Sequence, residues 1–374
     1  MQFTMFAGAC ALVSSLAVSA VLSAPAHAQA DIDADTIEVH QQLLTPSAGM
    51  MNDHMHEGGE AMIGLRLERQ RYSGTNRSGT DEISDADVLA AGYSVRAQSM
   101  EMDMVMLDLM FAPTSDLTLM VMPHYMWHRM EMVGIDPANT GMDMDMPMDM
   151  PMDHSSHGGH GGMPYGMVHA HGTEGFGDTL VSASYRLARS HAFNAHATLG
   201  LWVPTGAVDR TNADGTFVHY GMQSGSGTWD IEPAVTVSGQ AGAIGWGGQA
   251  SYRWRTDDSN ASGFAFGDKA RVTGWLSYLL AADVGTTARL EWEHEGAVLG
   301  HYNAAHNHSA PSDIQANYGG DVISAAFGVN WRLPLANRRG PQLGAEMAVP
   351  IHQRLNGIQL PRDWRLSLSL AQTF

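Results

Sequence analysis

The sequence predicts an all-β protein, a closed up-and-down antiparallel β-barrel of about twelve strands that spans a bacterial outer membrane. Segments of strand length alternate apolar and polar residues, and the connections between them alternate between short and long. The last segment ends in an aromatic residue, Phe374, on its apolar face. A barrel pairs all its strand edges, so it can cross lipid without unsatisfied backbone groups.

The first 28 residues have the features of a secretory signal peptide. Residues 6–24 form an uncharged apolar stretch, and the small residues of Ala26-His27-Ala28 follow as a cleavage site. The alternative is an uncleaved anchor. Cys10 lies within this signal, so the mature chain is expected to lack disulfides, thiolate metal sites and cysteine nucleophiles. Beyond the signal, no apolar stretch reaches the roughly 18 residues of a transmembrane helix.

Composition and charge restrict the possible functions. The formal net charge of −19 disfavours nucleic acid as a partner and is compatible with attracting cations. Only 16% of residues are charged, while the chain holds 41 Gly, 9 Trp and 10 Tyr, which fits a barrel with aromatic girdles. No motif places catalytic residues, so the sequence predicts a protein that is not an enzyme and has outer-membrane lipid as its surroundings.

Residues 29–59 are predicted as a periplasmic segment, and residues 60–374 as the barrel. The predicted strands are 60–72, 99–112, 116–133, 176–188, 192–204, 227–239, 244–256, 268–281, 285–298, 320–334, 340–352 and 362–374. The short connections are 113–115, 189–191, 240–243, 282–284 and 335–339. The long connections are 73–98, 134–175, 205–226, 257–267 and 299–319, with 353–361 intermediate. Short periplasmic turns, long outer loops and periplasmic termini are typical of bacterial barrels.

Several charged residues fall on the polar parity of the predicted strands. They are Arg186, Arg253, Arg271, Arg289, Glu291, Glu293 and Arg332. Because charges are costly at the lipid midplane, these side chains are expected to line the lumen. Pairing among themselves is favoured over a role in selectivity.

One predicted hairpin, residues 99–133, carries an unusual row of soft ligands. The residues of this row all have even numbers. They are Met100, Met102, Met104, Met106, Met110, Met120, Met122, His124, Met126, His128, Met130 and Met132. Since side chains alternate between faces, all twelve share one face. The opposite face ends in Tyr125 and Trp127, as a lipid face should, so the row is predicted to point into the lumen. The simplest register pairs Asp108 with Met120 and Met104 with His124.

Two further clusters lie outside this hairpin. The long outer loop 134–175 contains Met142, Met144, Met146, Met148, Met150, Met152, His154, His157, His160, His169 and His171. The segment before the barrel contains Met50, Met51, His54, Met55 and His56. Low-complexity sequence of the loop's kind does not build a packed core. The sequence thus predicts soft ligands below, inside and above the membrane.

Thioether and imidazole groups suggest a metal. Thioether sulfur suits Cu(I), and imidazole suits several transition metals, so a copper ion, with Cu(I) favoured, is the predicted cofactor. The alternatives are that flexible Met side chains merely pack a narrow lumen and that the loop is merely disordered.

Three motifs resemble the outer-membrane family named for the MetA pathway of phenol degradation. They are Gly175-Phe176-Gly177-Asp178, Val203-Pro204-Thr205-Gly206, and the run from Tyr220 to Asp230. The resemblance extends over residues 50–374 and implies a barrel with a channel-like role. Separately, Met152-Asp153-His154 is similar to the Met/His repeats of copper-resistance outer-membrane protein B, although that protein carries them in an N-terminal tail.

The sequence therefore favours an outer-membrane copper-handling barrel, acting in binding, tolerance or efflux, with periplasmic copper carriers or oxidases as possible partners. The main alternative is a channel for small hydrophobic or aromatic compounds, as the family resemblance implies. A membrane-embedded hydrolase and a purely structural barrel are further alternatives. Transport direction and the oxidation state of the metal do not follow from the sequence.

Overall fold

The computed structural model describes residues 43–140, 163–190, 192–334 and 340–374. The predicted signal peptide and the loop residues from Met142 to His160 lie outside these ranges. The strands are β1 Ala61–Ser73, β2 Arg77–Gly79, β3 Asp81–Glu82, β4 Val95–Thr114, β5 Leu117–Met122, β6 His124–Gly134, β7 Val168–Phe176, β8 Thr179–Arg189, β9 Phe193–Val203, β10 Asp230–Ala241, β11 Ile244–Arg255, β12 Phe264–Ala265, β13 Lys269–Ala281, β14 Val284–Glu295, β15 Leu299–Gly300, β16 Gly320–Arg332, β17 Gln342–Gln359 and β18 Arg362–Thr373. The helices are α1 Asp85–Ala90 and the 3₁₀ turns Tyr220–Met222, Pro311–Asp313 and Gln315–Asn317. None of the helices in the described ranges is long and apolar enough to cross a membrane.

The strands close into a twelve-stranded antiparallel barrel, as the sequence predicts. Strand β1 pairs with β18 on one side and with β4 on the other, which joins the two ends of the sheet. Strands β5 and β6 form one spanning strand that is interrupted at Pro123, and β7 and β8 form another. Proline lacks the backbone N–H that a ladder needs, so an interruption at this position is expected.

The outer face of the barrel is apolar. Leu276, Leu290 and Phe327 are each about three-fifths exposed on it, which is where lipid lies in an outer-membrane barrel. Exposed aromatic side chains form two belts around this surface. Near the short turns lie Tyr185, Tyr278, Trp331 and Phe374, and towards the other end lie Trp127, Trp229, Tyr252 and Trp254. Tyr278 of β13 pairs with Ile244 of β11. Tyr252 lies further along β11, about 26 Å from Ile244 at a rise of 3.3 Å per residue, as expected for two girdles.

Three predicted strand boundaries were wrong, all on the side of the long loops. Strand β4 begins at Val95 rather than at 99, and the strand predicted to begin at 176 begins with β7 at Val168. Strand β17 continues to Gln359, so the predicted connection 353–361 is mostly strand. These extensions lie towards the loop end, where lipid no longer imposes an apolar face, and therefore the alternation that marks a strand is weak there.

The long loops pack over the outer end of the barrel. Tyr220, Phe264, Val298 and Tyr302 form a buried cluster that we call the aromatic cover. The Tyr302 hydroxyl donates a hydrogen bond of 2.9 Å to the Val218 carbonyl, and its ring stacks on Tyr220 with centroids 4.3 Å apart. Burial raises the pKa of the Tyr302 hydroxyl above its ordinary value.

The other end of the barrel is closed by the segment before β1. We call residues 43–57 the plug, because the lumen wall binds its backbone from several directions. Asn330 Nδ2 donates to the carbonyls of Leu43 and Thr45 at 3.0 and 2.6 Å. Arg66 Nη1 donates to the Met50 carbonyl at 2.5 Å. This part of the predicted periplasmic segment 29–59 therefore lies inside the barrel rather than in front of it, because polar lumen side chains bind its peptide groups.

Candidate functional site

The lumen contains a cavity of about 530 Å³ between the plug and the outer loops. Gly49 and Met51 of the plug line its floor, and Pro311 and Asn317 line its roof. One side wall carries Met and His side chains, and the opposite side wall carries Arg and Glu side chains. The cavity is thus bounded by parts of the chain that are distant in sequence.

The first wall is built from four cross-strand pairs of β4 and β6, which we call the Met/His ladder. The pairs are Met106 with His124, Met104 with Met126, Met102 with His128, and Met100 with Met130. All eight side chains line the cavity, so the predicted lumen orientation of this face is confirmed. Directly opposed residues of an antiparallel sheet have Cβ atoms about 4.5–5.5 Å apart, which brings each pair within side-chain contact.

The predicted register of this hairpin was wrong by two residues. Asp108 does not pair with Met120, because Met120 lies opposite Met110 instead, and His124 lies opposite Met106 rather than Met104. Strand β4 continues to Thr114, which pairs with Leu117, so the hairpin turns later in the chain than predicted; a register irregularity also lies between Phe111 and Thr114. A shift by two keeps every side chain on its predicted face, because the period of a strand is two.

The remaining predicted ligands of the hairpin divide into two groups. Met110, Met120 and Met122 are buried in an apolar cluster with Met62 and Leu180, and of these three only Met122 also reaches the cavity. Met132 belongs to a second buried cluster with Met222 near the outer end. The alternative that Met fills space in the lumen therefore fits Met110, Met120 and Met132.

The two histidines of the ladder differ in their partners. The Nδ1 atom of His128 lies 3.3 Å from the Thr173 hydroxyl, which in turn donates to the Met222 carbonyl. The Nδ1 atom of His124 is buried and has no hydrogen-bond partner in the part of the chain that the structure describes. The His124 residue as a whole is only 8% exposed.

A second group of histidines lies at the outer rim. His169 and His171 of β7 pair with Met132 and Met130, so they continue the row of the ladder outward. Their rings stack with centroids 5.9 Å apart, and the His171 ring lies 5.2 Å from that of His219. The Nδ1 atom of His219 lies 2.7 Å from the Asp313 carboxylate. His219 was missed by sequence reasoning, because only the folding of the outer loops brings it to β7.

The opposite wall is a network of ion pairs. Arg271 and Arg362 both donate to Glu293, at 3.0 and 2.6 Å. Deeper in the wall, Arg289 and Arg365 both donate to Glu291, at 2.5 and 2.6 Å. The predicted lumen position and internal pairing of Arg271, Arg289, Glu291 and Glu293 are confirmed. Arg362 and Arg365 were not singled out, although Arg365 alternates with the apolar Trp364 and Leu366 in the predicted strand 362–374.

Trp202 joins the two walls and was also missed. Its Nε1 donates a hydrogen bond of 2.7 Å to Glu232, and the Arg253 guanidinium lies 4.0 Å above its ring. Its ring centroid is 6.4 Å from that of His124, with the planes nearly perpendicular. The signal that could have found it is parity, since its neighbours Leu201 and Val203 fall on the apolar face of the predicted strand 192–204.

The plug holds the predicted Met50, Met51, His54, Met55 and His56. His54 Nδ1 lies 3.0 Å from the Asp53 carboxylate. Burial alone lowers the pKa of His54, but Asp53 raises it, and the net pKa lies above its ordinary value. Burial mainly lowers the pKa of His56, whose imidazole is fully buried. These residues therefore anchor a segment within the lumen and do not form a cluster exposed to the periplasm.

The described residues contain no group of three or more His, Cys, Asp or Glu side chains arranged to hold a metal ion. This finding concerns ligands of those four types and does not cover thioethers. The predicted ligands Met142, Met144, Met146, Met148, Met150, Met152, His154, His157 and His160 lie outside the described ranges. Copper binding by any of these groups remains a prediction.

Comparison with known proteins identifies a family. The family described as "Putative MetA-pathway of phenol degradation" matches residues 152–342, which is 191 of the 374 residues. No curated protein sequence matches the chain. The resemblance to copper-resistance outer-membrane protein B is not shown by these comparisons.

Solved structures share the fold. An outer membrane channel from Pseudomonas putida F1 superposes with a TM-score of 0.53 at 15% identity, over 87% of this chain and 99% of that chain. A FadL homologue from Pseudomonas aeruginosa gives a TM-score of 0.41 at 8% identity, over 87% of this chain and 94% of that chain. The likeness to the first supports an outer-membrane barrel.

Proposed function

The chain belongs to the outer-membrane family named for the MetA pathway of phenol degradation, and from this premise we propose that it is a channel for small hydrophobic or aromatic compounds. The observation that carries the proposal is the Met/His ladder as a wall of the 530 Å³ cavity. This volume lies within the roughly 300–1,000 Å³ of small-molecule sites. Thioethers make favourable contacts with aromatic rings and adapt to different shapes.

Passage through the barrel requires movement at both ends. Gly49 and Met51 of the plug bound the cavity on the periplasmic side, and outer-loop residues, including Val298 of the aromatic cover, bound it on the outer side. The plug is bound mainly through its backbone by side chains of the wall, so it can leave without breaking the barrel ladder. We therefore propose that the described state is a closed channel that holds a solute between two barriers.

Binding of phenol or toluene to the purified barrel tests this function. Trp202 lines the cavity, so we expect its fluorescence to change on binding and the change to saturate. Met102→Glu, which adds a charge to the ladder, should weaken binding at least about tenfold, since burying an unpaired charge is costly. Met110→Leu is the control, because Met110 is buried and lies away from the cavity. Met347→Glu is unsuitable as a control, because Met347 faces lipid. Equal binding by the Met102 variant and the wild type would contradict the proposal.

Copper handling is a second candidate function. It is favoured by the alternation of His124 and His128 with methionines, because a wall that only had to be apolar would not contain imidazoles. Periplasmic copper carriers or oxidases would be its partners. Deletion of the gene should then lower the copper concentration that the bacterium tolerates. Unchanged tolerance, together with purified protein that retains no copper, would leave the channel for organic compounds as the remaining candidate.

A further inference from the structure

His124 occupies a special place in the barrel wall. It is the first residue of β6, directly after the interruption at Pro123, and its carbonyl accepts a hydrogen bond of 3.0 Å from Gly177 N–H. This bond ties the start of β6 to the similar interruption between β7 and β8. The position of the imidazole is therefore fixed by two strands at once.

The ring of His124 fits only because residue 177 is glycine. A Cβ atom at Gly177 would lie 1.9 Å from Nε2, which is far inside any allowed contact. The ring is thus held against the backbone on that side. Its Nδ1 atom is buried without a hydrogen-bond partner among the described residues. A buried polar atom without a partner destabilises the fold, and a bound ligand would remove that penalty.

On the lumen face of the sheet, the neighbours of the His124 imidazole are thioether side chains. Met106 lies directly opposite on β4, and Met122 and Met126 lie two residues before and after it in sequence. All three line the same cavity as His124. Methionine side chains have three rotatable bonds, so their sulfur atoms can move towards an ion. One nitrogen and three sulfurs provide four ligands.

The charges near His124 limit which ion could bind. The Asp178 carboxylate is already engaged by the backbone N–H groups of Gly206 and Ser226 and by the Ser226 hydroxyl. The Asp108 carboxylate pairs with Arg66 at 3.1 Å. Glu68 and Arg253 also act on the His124 ring, and their charges are opposite in sign. Because the four ligands themselves are neutral, a divalent ion would be buried with a larger uncompensated charge than a monovalent ion. Soft sulfur ligands favour Cu(I) and ions like it.

We propose that His124, Met106, Met122 and Met126 form a binding site for one soft monovalent metal ion, Cu(I) or its analogue Ag(I). The choice of a soft metal ion rests on the second candidate function, copper handling. The site does not depend on the proposed channel for organic compounds. It also differs from the loop tract, because its ligands are held by the barrel wall. An ion bound there would lie within the membrane-spanning part of the lumen.

Methionine oxidation in the full-length, detergent-purified protein tests the site with Ag(I) as the probe. Coordination to Ag(I) uses one of the two lone pairs of a thioether sulfur and makes the other less nucleophilic towards peroxide. We therefore expect slower sulfoxide formation at Met106, Met122 and Met126, read by mass spectrometry of peptides. Met347, which faces lipid, should be oxidised at the same rate with and without Ag(I). The methionines of 142–152 provide an internal check that silver reached the protein.

The His124→Asn variant should lose this protection, with an apparent Ag(I) affinity lower by at least about 10–100-fold, because that is the loss typical of mutating only a hydrogen-bond partner of a metal ligand. Met106→Leu, which keeps the volume of the side chain, should also weaken protection at Met122 and Met126. Met110→Leu is the matched control, because Met110 lies on the same face but outside the cavity.

Two results would overturn the site. The first is oxidation of Met106 at an unchanged rate in a sample whose 142–152 tract is protected. The second is full protection in the His124→Asn variant. Copper tolerance is a separate measurement: if it is unaffected by gene deletion while His124-dependent protection is observed, the site stands and the copper-handling function fails.

Discussion

The Asn52 carbonyl accepts a hydrogen bond of 2.9 Å from Nε2 of His196, a residue in the middle of β9. Gln249 Nε2 donates to the same carbonyl at 3.3 Å, and Ser182 donates to the Asn52 side chain at 2.9 Å. Asn52 itself has a φ of 52°, in the left-handed region that asparagine tolerates better than most residues. Thr236 of β10 also donates to the Asn52 carbonyl, at 3.4 Å, so Asn52 is the point at which the plug is bound by four different strands.

Asn52→Ala should loosen the plug. The substitution removes the bond from Ser182 and places alanine in a left-handed conformation, which costs roughly 1–2 kcal/mol. We expect a higher single-channel conductance in planar bilayers and faster proteolysis within residues 43–57 than for the wild type.

Asn52→Gly is the matched variant, because glycine adopts a positive φ without strain and loses only the side-chain bond. Its conductance should lie between those of the wild type and the alanine variant. If both variants conducted like the wild type, the plug would not be a barrier to flow.

Gly177→Ala should displace the His124 ring, because the added methyl would lie 1.9 Å from Nε2. The expected result is loss of Ag(I) protection at Met106, with the barrel still folded, since Gly177 lies in the interruption between β7 and β8. Gly274→Ala is the control, because its Cβ meets no atom closer than 3.7 Å. Protection that survives in the Gly177 variant would show that the position of His124 does not matter.

Arg289→Met should destabilise the barrel strongly. Arg289 is fully buried between Glu291 and Glu346, and removing one partner of a buried ion pair leaves uncompensated charge, at a cost of about 3–5 kcal/mol. Arg69→Met, which breaks the exposed pair with Asp103, should cost no more than about 1 kcal/mol. Urea unfolding in detergent measures both. Similar costs for the two variants would mean that the charged wall does not hold the fold together.

The aromatic cover should open at alkaline pH. Tyrosine in an unfolded loop ionises near pH 10, whereas burial raises the pKa of Tyr302 in the closed cover. In the closed cover, the Tyr302 hydroxyl therefore keeps its proton up to a higher pH than in an unfolded loop. The stability of the cover is complete below about pH 10 and falls as the pH rises towards the folded-state pKa of Tyr302. Tyrosinate absorbance and proteolysis of residues 299–319 follow the opening. Tyr302→Phe cannot ionise, so its cover should open at higher pH; an unchanged midpoint would assign the transition to another group.

The barrel itself could be predicted from the sequence because each spanning strand separates lipid from lumen. In β5 and β6, Val121 and Trp127 are exposed while Met122 and His128 are buried, and this two-residue period is visible in the residues alone. The register was missed because it depends on where the hairpin turns and on the irregularity between Phe111 and Thr114. Pro113 signals that the ladder is disturbed there, but a proline does not say by how many residues the pairing shifts.

The plug and the rim histidines could not be predicted for a different reason. The plug has no periodic pattern, and its position depends on side chains such as Asn330 and Gln249 that are far away in the chain. His219 reaches His171 only after two outer loops have packed together. Parity did, however, place Met106 and His124 on one face, so the ligands of the proposed site were identifiable before their geometry was known.

The contrast between the two side walls has a consequence for any molecule in transit. Neutral, polarisable sulfur lines one side, and a lattice of guanidinium and carboxylate groups such as Arg271 and Glu293 lines the other. The electrostatic gradient in the lumen therefore runs across the barrel rather than along its axis. A phenol in the proposed channel would lie across the barrel axis, with its hydroxyl towards the ion pairs and its ring towards the methionine sulfurs. The protein would then discriminate between solutes by the direction of their dipole as well as by their size.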